Sequence, residues 1–128
     1  MRTAEELEQL LDQYWSDYPA WRSADIGEGW IDLVYDLTVE LAEKYPDFKI
    51  TQIKEKFGGL RYYVEGYFLD FEGQSLAEST MYKMIANAEK KSRNTCEVTG
   101  KPGKVRDDLG WIITLSDEEY EKAKNRST

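Results

Sequence analysis

Apolar residues recur at helical spacing in the first third of the chain. Thr3-Ala4-Glu5-Glu6 is a capping box that starts a first helix. We predict that this helix ends near Tyr18-Pro19, because a residue that precedes proline avoids the α region. Residues 19–29 are predicted to be a loop. A second, longer helix is predicted to end before Pro46, from apolar residues three or four apart: Trp30, Leu33, Val34, Leu37, Leu41 and Tyr45.

The spacing of apolar residues shortens to two between Phe48 and Phe71, as in β-strands. Gly58-Gly59 separates two runs that are rich in aromatic and β-branched residues. A glycine pair between such runs predicts a hairpin with positive φ at both glycines of its tight turn. A phosphate-binding loop is the weaker interpretation, because no helix start and no Lys-Ser/Thr pair follow the glycines.

The last part of the chain predicts a helix, a small hairpin and a final helix. The helix is predicted over residues 74–92, and Lys90, Lys91 and Arg93 at its end suit the negative pole of the helix dipole. The hairpin is indicated by Val105, Ile112 and Leu115. Ser116-Asp117-Glu118-Glu119 is a second capping box and predicts a short helix to about Lys124.

Together these elements predict an α+β fold, an antiparallel hairpin packed by three helices with a small C-terminal ββα unit. A chain of 128 residues is predicted to be a single domain that needs no disulfide or metal for stability. Within residues 1–128, residues 1–93 are predicted to form the α/β core. Residues 94–128 form the C-terminal unit, which resembles a zinc finger that has lost its ligands.

The charge of the chain is uneven along its length. Residues 1–48 hold 12 acidic and 3 basic side chains, a net of −9, whereas residues 49–128 hold 13 acidic and 14 basic, a net of +1. Because affinity for nucleic acid comes largely from Lys and Arg on phosphates, this balance predicts no direct nucleic-acid partner. A protein partner with a basic surface is predicted instead.

Two features of the sequence bear on the cellular compartment of the protein: it has a single cysteine and lacks a long apolar stretch. A single cysteine cannot form an internal disulfide, which fits a reducing cytoplasm. The N-terminal residues lack the apolar stretch of a signal peptide, and no run approaches the roughly 20 apolar residues that cross a bilayer. The sequence therefore predicts a cytoplasmic protein with no membrane partner, and it leaves the oligomeric state open.

The segment Cys96 to Gly103 has the outline of a zinc knuckle without its ligands. A knuckle needs a second cysteine two residues after the first, and Thr99 stands at that position. A second pair of ligands would be expected one hairpin later, where Ser116 and Glu119 are found. Because one thiolate does not hold zinc, we predict that the protein binds no metal and needs no cofactor. Apolar packing is then expected to replace the contribution of the metal, through Val98, Val105, Trp111, Ile112 and Leu115.

The strings Ile53–Gly66 and Cys96–Glu119 resemble a widespread uncharacterised family from bacterial and phage genomes. Members carry Lys-Phe-Gly-Gly-Leu-Arg before aromatic residues, then Cys-x-x-Cys-Gly-x-Pro-Gly, Gly-Trp-x-x-Thr-Leu-Cys and a histidine. The match covers about residues 29–119. The resemblance implies a metal-stabilised finger in relatives, a metal-free copy here, and a mobile-element context.

Catalytic chemistry has few candidates. The chain contains no histidine to deprotonate Cys96, and the neighbouring Glu97 is expected to raise the pKa of the thiol. Cys96 is therefore interpreted as a former ligand that packs as a small apolar residue. A cation site at Asp107, Asp108, Glu118 and Glu119 matches no EF-hand spacing. We predict that the protein is not an enzyme and has no catalytic residues.

Two groups of charged residues are candidates for binding. The acidic face of the second helix comprises Asp32, Asp36, Glu40 and Glu43, whose four- and three-residue spacing places them on one side. Trp21 lies near it among aromatic residues of the first loop, and aromatic residues bordered by carboxylates are typical of interface hot spots. Lys54, Lys56 and Arg61 flank the hairpin turn, where they would grip a phosphate or an acidic loop, or simply be solvated.

These observations favour a non-enzymatic, acidic protein-binding module. With the phage resemblance, its concrete form is an inhibitor that occupies a basic surface of a host defence protein. An immunity protein or antitoxin that neutralises a toxin is one alternative. A nucleic-acid-associated relative of zinc fingers is another, which the net charge and the missing ligands disfavour.

Overall fold

The protein is described by a computed structural model that covers residues 2–17, 22–65 and 80–126. It has the predicted α+β class and the predicted hairpin. The helices are α1 (Ala4–Leu11), α2 (Ile31–Lys44), α3 (Thr80–Ser92) and α4 (Asp117–Arg126), with a 3-10 turn at Glu28–Trp30. The strands are β1 (Ala24–Asp25), β2 (Ile50–Lys56), β3 (Gly59–Val64), β4 (Lys104–Arg106) and β5 (Ile113–Leu115).

Helix α1 begins as predicted and ends early. The Thr3 hydroxyl accepts a hydrogen bond from the Glu6 amide, and the Glu6 carboxylate accepts one from the Thr3 amide. The helix ends at Leu11, not near Tyr18. The reason is tertiary: Tyr14 and Ser16 exchange backbone hydrogen bonds with Ile50 at the start of β2, which requires an extended chain.

The larger sheet has the order β1-β2-β3. Strand β1 pairs with β2 in parallel, so the segment predicted to be a loop over 19–29 contains a short strand. Strands β2 and β3 form the antiparallel hairpin. The main core lies between the inner face of this sheet and helices α1, α2 and α3, and its fully buried side chains include Leu11, Trp30, Val34, Leu41, Phe48, Ile50, Ile53, Leu60 and Met81.

The hairpin turn is shifted by one residue from its predicted position. Phe57 and Gly58 are its central residues, with φ of 54° and 79°, and Lys56 pairs with Gly59. Positive φ at both central residues is the pattern of a type I′ turn. The prediction of a turn at Gly58-Gly59 is therefore wrong, because Gly59 is the first residue of β3.

The C-terminal unit contains the predicted hairpin and helix. Strands β4 and β5 pair antiparallel, and the Ser116 hydroxyl accepts a hydrogen bond from the Glu119 amide at the start of α4. Its interior is small. Of the apolar residues expected to replace the metal, only Leu115 is buried, whereas the exposed ones are Val98, Val105, Trp111 and Ile112. That expectation is wrong, because two strands of three residues enclose too little space for large side chains.

Two further predictions concern the start of α3 and the absence of membrane-spanning helices. Helix α3 begins at Thr80, and the first part of the helix predicted over 74–92 lies outside the described residues. Among the described helices, none combines the length and the apolar character that crossing a membrane requires.

Candidate functional site

Helix α2 carries the acidic face, and the structure divides it into two halves. The backbone amide of Arg2 donates to Asp32 at 3.0 Å, and the Arg2 guanidinium lies 3.1 Å from the Asp36 carboxylate. The same guanidinium stacks 4.0 Å above the ring of Tyr35. Glu40 and Glu43 are exposed, and neither forms an ion pair within residues 2–17, 22–65 and 80–126. The free negative charge is therefore at the C-terminal end of α2.

A groove between α2 and α3 adjoins this acidic end. Its cavity measures about 190 Å³. Apolar side chains line its floor, namely Leu33, Leu37, Met84 and Ala88. Polar side chains form its walls: Asp36 and Glu40 from α2, Asn87 and Lys91 from α3. The sequence predicted a separate helix for the α3 residues of this groove, and only the packing of α3 against α2 shows that they lie opposite Asp36 and Glu40. Trp21, predicted to lie near this surface, is outside the described residues.

The predicted hairpin cations come together on one face of the sheet. Lys54 pairs with Arg61 and Lys56 pairs with Gly59, and directly paired residues of antiparallel strands point to the same side. Arg93, at the end of α3, extends over Gly59, with its guanidinium 3.3 Å from where a Cβ of Gly59 would lie. Sequence reasoning assigned Arg93 to the helix dipole and missed this role. We call Lys54, Lys56, Arg61 and Arg93 the cationic sheet face.

The four positions of the degenerate knuckle also meet. Cys96 is fully buried. Burial alone would raise the pKa of its thiol, but hydrogen bonds from the Thr99 hydroxyl and from backbone amides, including that of Ser116, lower this pKa overall. The expected rise caused by Glu97 is therefore wrong. The backbone amide of Glu119 donates a hydrogen bond to the Ser116 hydroxyl at 3.2 Å, which brings the Glu119 backbone to the same cluster.

These positions do not provide a metal site. Nowhere in the described parts of the chain do three or more His, Cys, Asp or Glu side chains group closely enough to hold an ion. Hydrogen bonds from backbone amides and from the Thr99 hydroxyl to the Cys96 thiol are of the kind that stabilises a thiolate. The hydroxyls of Thr99 and Ser116 also accept hydrogen bonds from the backbone amides of Lys101 and Glu119.

Glu97 is a buried carboxyl group, which sequence reasoning did not single out. Its side chain accepts a hydrogen bond from the Thr114 amide at 2.9 Å, and the residue is 6% exposed. Burial raises the pKa of Glu97 to about 7, against the lowering effect of the Thr114 amide and with a further rise from the Glu55 carboxylate. Perturbed carboxyl groups often mark active sites. This one is enclosed between the C-terminal unit and the core, where Glu97 contacts Thr114 and Gly29.

Another cavity, of about 380 Å³, lies in the C-terminal unit between β5 and α4. Val98, Trp111, Ile113 and Leu115 line it, with Glu119 and Arg126 among the polar residues at its edge. Glu119 is paired with Lys122 at 3.3 Å. Among the described residues that line this cavity there is no carboxylate pair and no nucleophile, and most of its wall is apolar.

No protein-family model, no curated protein and no solved structure matches the chain. Function is therefore inferred from the surfaces of the chain itself.

Proposed function

We propose that this chain is a non-enzymatic protein-binding module that holds a basic segment of its partner at the acidic face. The observation that carries the proposal is the groove between α2 and α3, where an apolar floor meets the carboxylates of Asp36 and Glu40. Burial of an apolar side chain on that floor would supply affinity. The carboxylates beside it would select a partner side chain that ends in a positive charge.

The distribution of charge supports this direction of recognition. The region that contains α1 and α2 has a net charge of −9, so a basic partner is attracted before contact. Arg2 offsets part of the charge of Asp32 and Asp36, which leaves Glu40 and Glu43 as the most effective groups. The proposal therefore assigns more weight to the C-terminal half of the acidic face than the sequence does.

The side chains support a non-catalytic function. The chain has no histidine, and its one cysteine is enclosed in the C-terminal unit. The buried carboxyl group of Glu97, whose pKa is raised, is hydrogen-bonded inside the protein. In its most specific form, the proposal makes the chain an inhibitor of a host defence protein, as the phage resemblance implies, in the cytoplasm of that host. An immunity protein would use the same acidic surface on a toxin.

The test compares two variants of equal charge. Glu40→Gln with Glu43→Gln changes the acidic face, and Glu118→Gln with Glu121→Gln removes two exposed carboxylates of α4 as the control. Host proteins that the wild type and the control variant capture, and the first variant captures less well, are purified. Their association rates with the wild type and with both variants are then measured at several salt concentrations. The wild type should associate faster than the first variant and with a steeper salt dependence, because exposed charges act mainly through steering. Equal rates for the wild type and both variants would refute the proposal.

A further inference from the structure

The outer face of the β2-β3 hairpin carries solvent-exposed side chains, Lys56 and Tyr63 among them. The inner face carries the buried residues Ile53, Leu60 and Tyr62, and Tyr62 hydrogen-bonds to Thr38 of α2 at 2.8 Å. Because side chains alternate along a strand, the cationic sheet face points away from α2. The positive groups are thus on the side of the sheet opposite the acidic face.

The positive charge on this face is concentrated near the turn. Among the described residues, no carboxylate lies within 4 Å of any of its four cations. Two acidic residues border the other end of the face: Asp25 of β1 is paired with Lys54, and Glu65 follows β3. Lys56, Arg61 and Arg93 therefore form the part of the face that is free to attract an anion.

Two exposed aromatic rings lie at the ends of the cationic sheet face. Tyr63 is 44% exposed and pairs with Gln52 on the same side as Arg61. Phe57, in the turn, is 64% exposed, and its ring centroid is 5.5 Å from the Lys56 ammonium group. Cations are thus placed between two rings that are open to solvent.

The backbone of Phe57 indicates that its ring has a role other than folding. A bulky residue rarely adopts positive φ, and Asn-Gly or Asp-Gly is strongly preferred in a turn of this type. The turn is nevertheless held firmly. The Glu55 carboxylate accepts the Gly58 amide at 2.7 Å, and the Thr114 hydroxyl donates to the Gly58 carbonyl at 2.6 Å. Strain of this kind occurs preferentially at functional sites.

We propose that the cationic sheet face, with Phe57 and Tyr63, binds single-stranded nucleic acid. Lys56, Arg61 and Arg93 would contact phosphates, while unpaired bases stack on the two rings. Stacking of this type tolerates any base and needs an unpaired strand, since the bases of a duplex are stacked on each other. An acidic polypeptide would also satisfy the cations, but it offers flat groups only at its aromatic residues, whereas a single strand has a base at every nucleotide.

The overall charge of the chain does not prevent this binding. The net charge of −8 predicts that nucleic acid is repelled by the chain as a whole. However, the acidic face lies on α2, beyond the inner face of the sheet, and charges are screened over roughly 8 Å at physiological ionic strength. The local charge of the outer face therefore decides contact with a strand.

The test measures fluorescence anisotropy of labelled dT20 and U20 with the full chain at several salt concentrations. The wild type should bind at least one of them, and the tighter ligand identifies DNA or RNA as the class. The triple variant Lys56→Gln, Arg61→Gln, Arg93→Gln should reduce the slope of log affinity against log salt by about 2, from roughly 0.7 per phosphate contact on single strands. Lys122→Gln with Lys124→Gln, on α4, is the control and should change little.

Ring variants separate stacking from charge and from folding. Phe57→Asn, which places a favoured Asn-Gly pair in the turn, and Tyr63→Ala should each weaken binding about tenfold at an unchanged salt slope. Tyr63→Phe keeps a ring and should bind like the wild type. Three outcomes would overturn the proposal: no binding of either oligonucleotide at 50 mM salt, equal loss in the α4 control, or polyglutamate binding as tightly as the oligonucleotides.

Discussion

The core and the C-terminal unit are stabilised in different ways. The main hydrophobic cluster is drawn from residues between Leu7 and Ala88, with many side chains fully buried. In the C-terminal unit, the only buried apolar side chains are Cys96 and Leu115 among the described residues. The core therefore depends on burial of apolar area. The unit depends on hydrogen bonds and on its attachment to the core.

That attachment is made largely through backbone groups. The Gly29 amide donates to the Glu97 carbonyl at 2.8 Å, and the Trp30 indole donates to the Thr95 carbonyl at 2.8 Å. The backbone segments around Gly29 and Cys96 approach so closely that a Cβ on Gly29 would lie 2.0 Å from the Cys96 carbonyl oxygen. A side chain cannot be accommodated there. A unit with little core of its own is thus ordered by close backbone contacts that only glycine permits.

The largest effect is expected for Trp30→Ala, because Trp30 belongs to both regions. The variant removes a fully buried ring from the core and the hydrogen bond to Thr95 of the C-terminal unit. The free energy of unfolding should fall by about 3–5 kcal/mol in urea denaturation. Trp30→Phe, which keeps most of the apolar volume, should lose about 1 kcal/mol. If Trp30→Ala cost no more than Trp30→Phe, the two regions would not share this residue as described.

Glu97 should make the stability of the attachment depend on pH. Its pKa is raised from 4.5 to about 7, so its contribution to stability is fully present below pH 4.5 and is lost as the pH rises to about 7. Relative to Glu97→Gln, the wild type should lose up to about 3 kcal/mol of unfolding free energy between pH 4.5 and pH 8.

Urea denaturation of both proteins across this pH range would measure the difference. The exposed Glu118→Gln variant is the control and should run parallel to the wild type. Parallel curves for the wild type and Glu97→Gln would show that Glu97 is not enclosed between the two regions.

A smaller effect of opposite sign is expected for Phe57→Asn. Asn adopts positive φ more readily than Phe, and the lost ring is mostly exposed. The free energy of unfolding should rise by about 1 kcal/mol, within the range that strained backbone positions cost. Thermal denaturation would show this as a higher Tm. A clear decrease in Tm would mean that the ring of Phe57 packs against the C-terminal unit and stabilises the turn.

The smallest effect is expected for Trp111→Ala. Trp111 is 52% exposed, so its removal should cost about 1 kcal/mol or less, well below the cost of a buried aromatic residue. Leu115→Ala, at a buried position of the same unit, should cost about 2–5 kcal/mol and serves as the comparison. A large loss for Trp111→Ala in urea denaturation would restore the original expectation of an apolar interior around Trp111.

Elements that depend on local pattern were predicted well. The capping box at Thr3 and the hydroxyl cap of Ser116 both lie at helix starts, and α2 ends immediately before Tyr45 and Pro46. These features follow from neighbouring residues, because caps and proline act within a few positions. The early end of α1 was missed because its cause is pairing of the following residues with Ile50, more than 30 positions away.

Local sequence was sufficient to predict which side chains carry charge, where α1 and α4 start and that Lys54, Lys56 and Arg61 flank the turn of a hairpin. What lies beside these residues depends on tertiary packing. In the folded protein, Arg2 pairs with two carboxylates of the acidic face, Arg93 lies over the hairpin, and α3 forms one side of the groove. Tertiary packing also determines that Trp111 is exposed and that Glu97 is buried. Periodicity is a property of neighbouring residues, whereas exposure and pKa depend on which distant segments pack against a side chain.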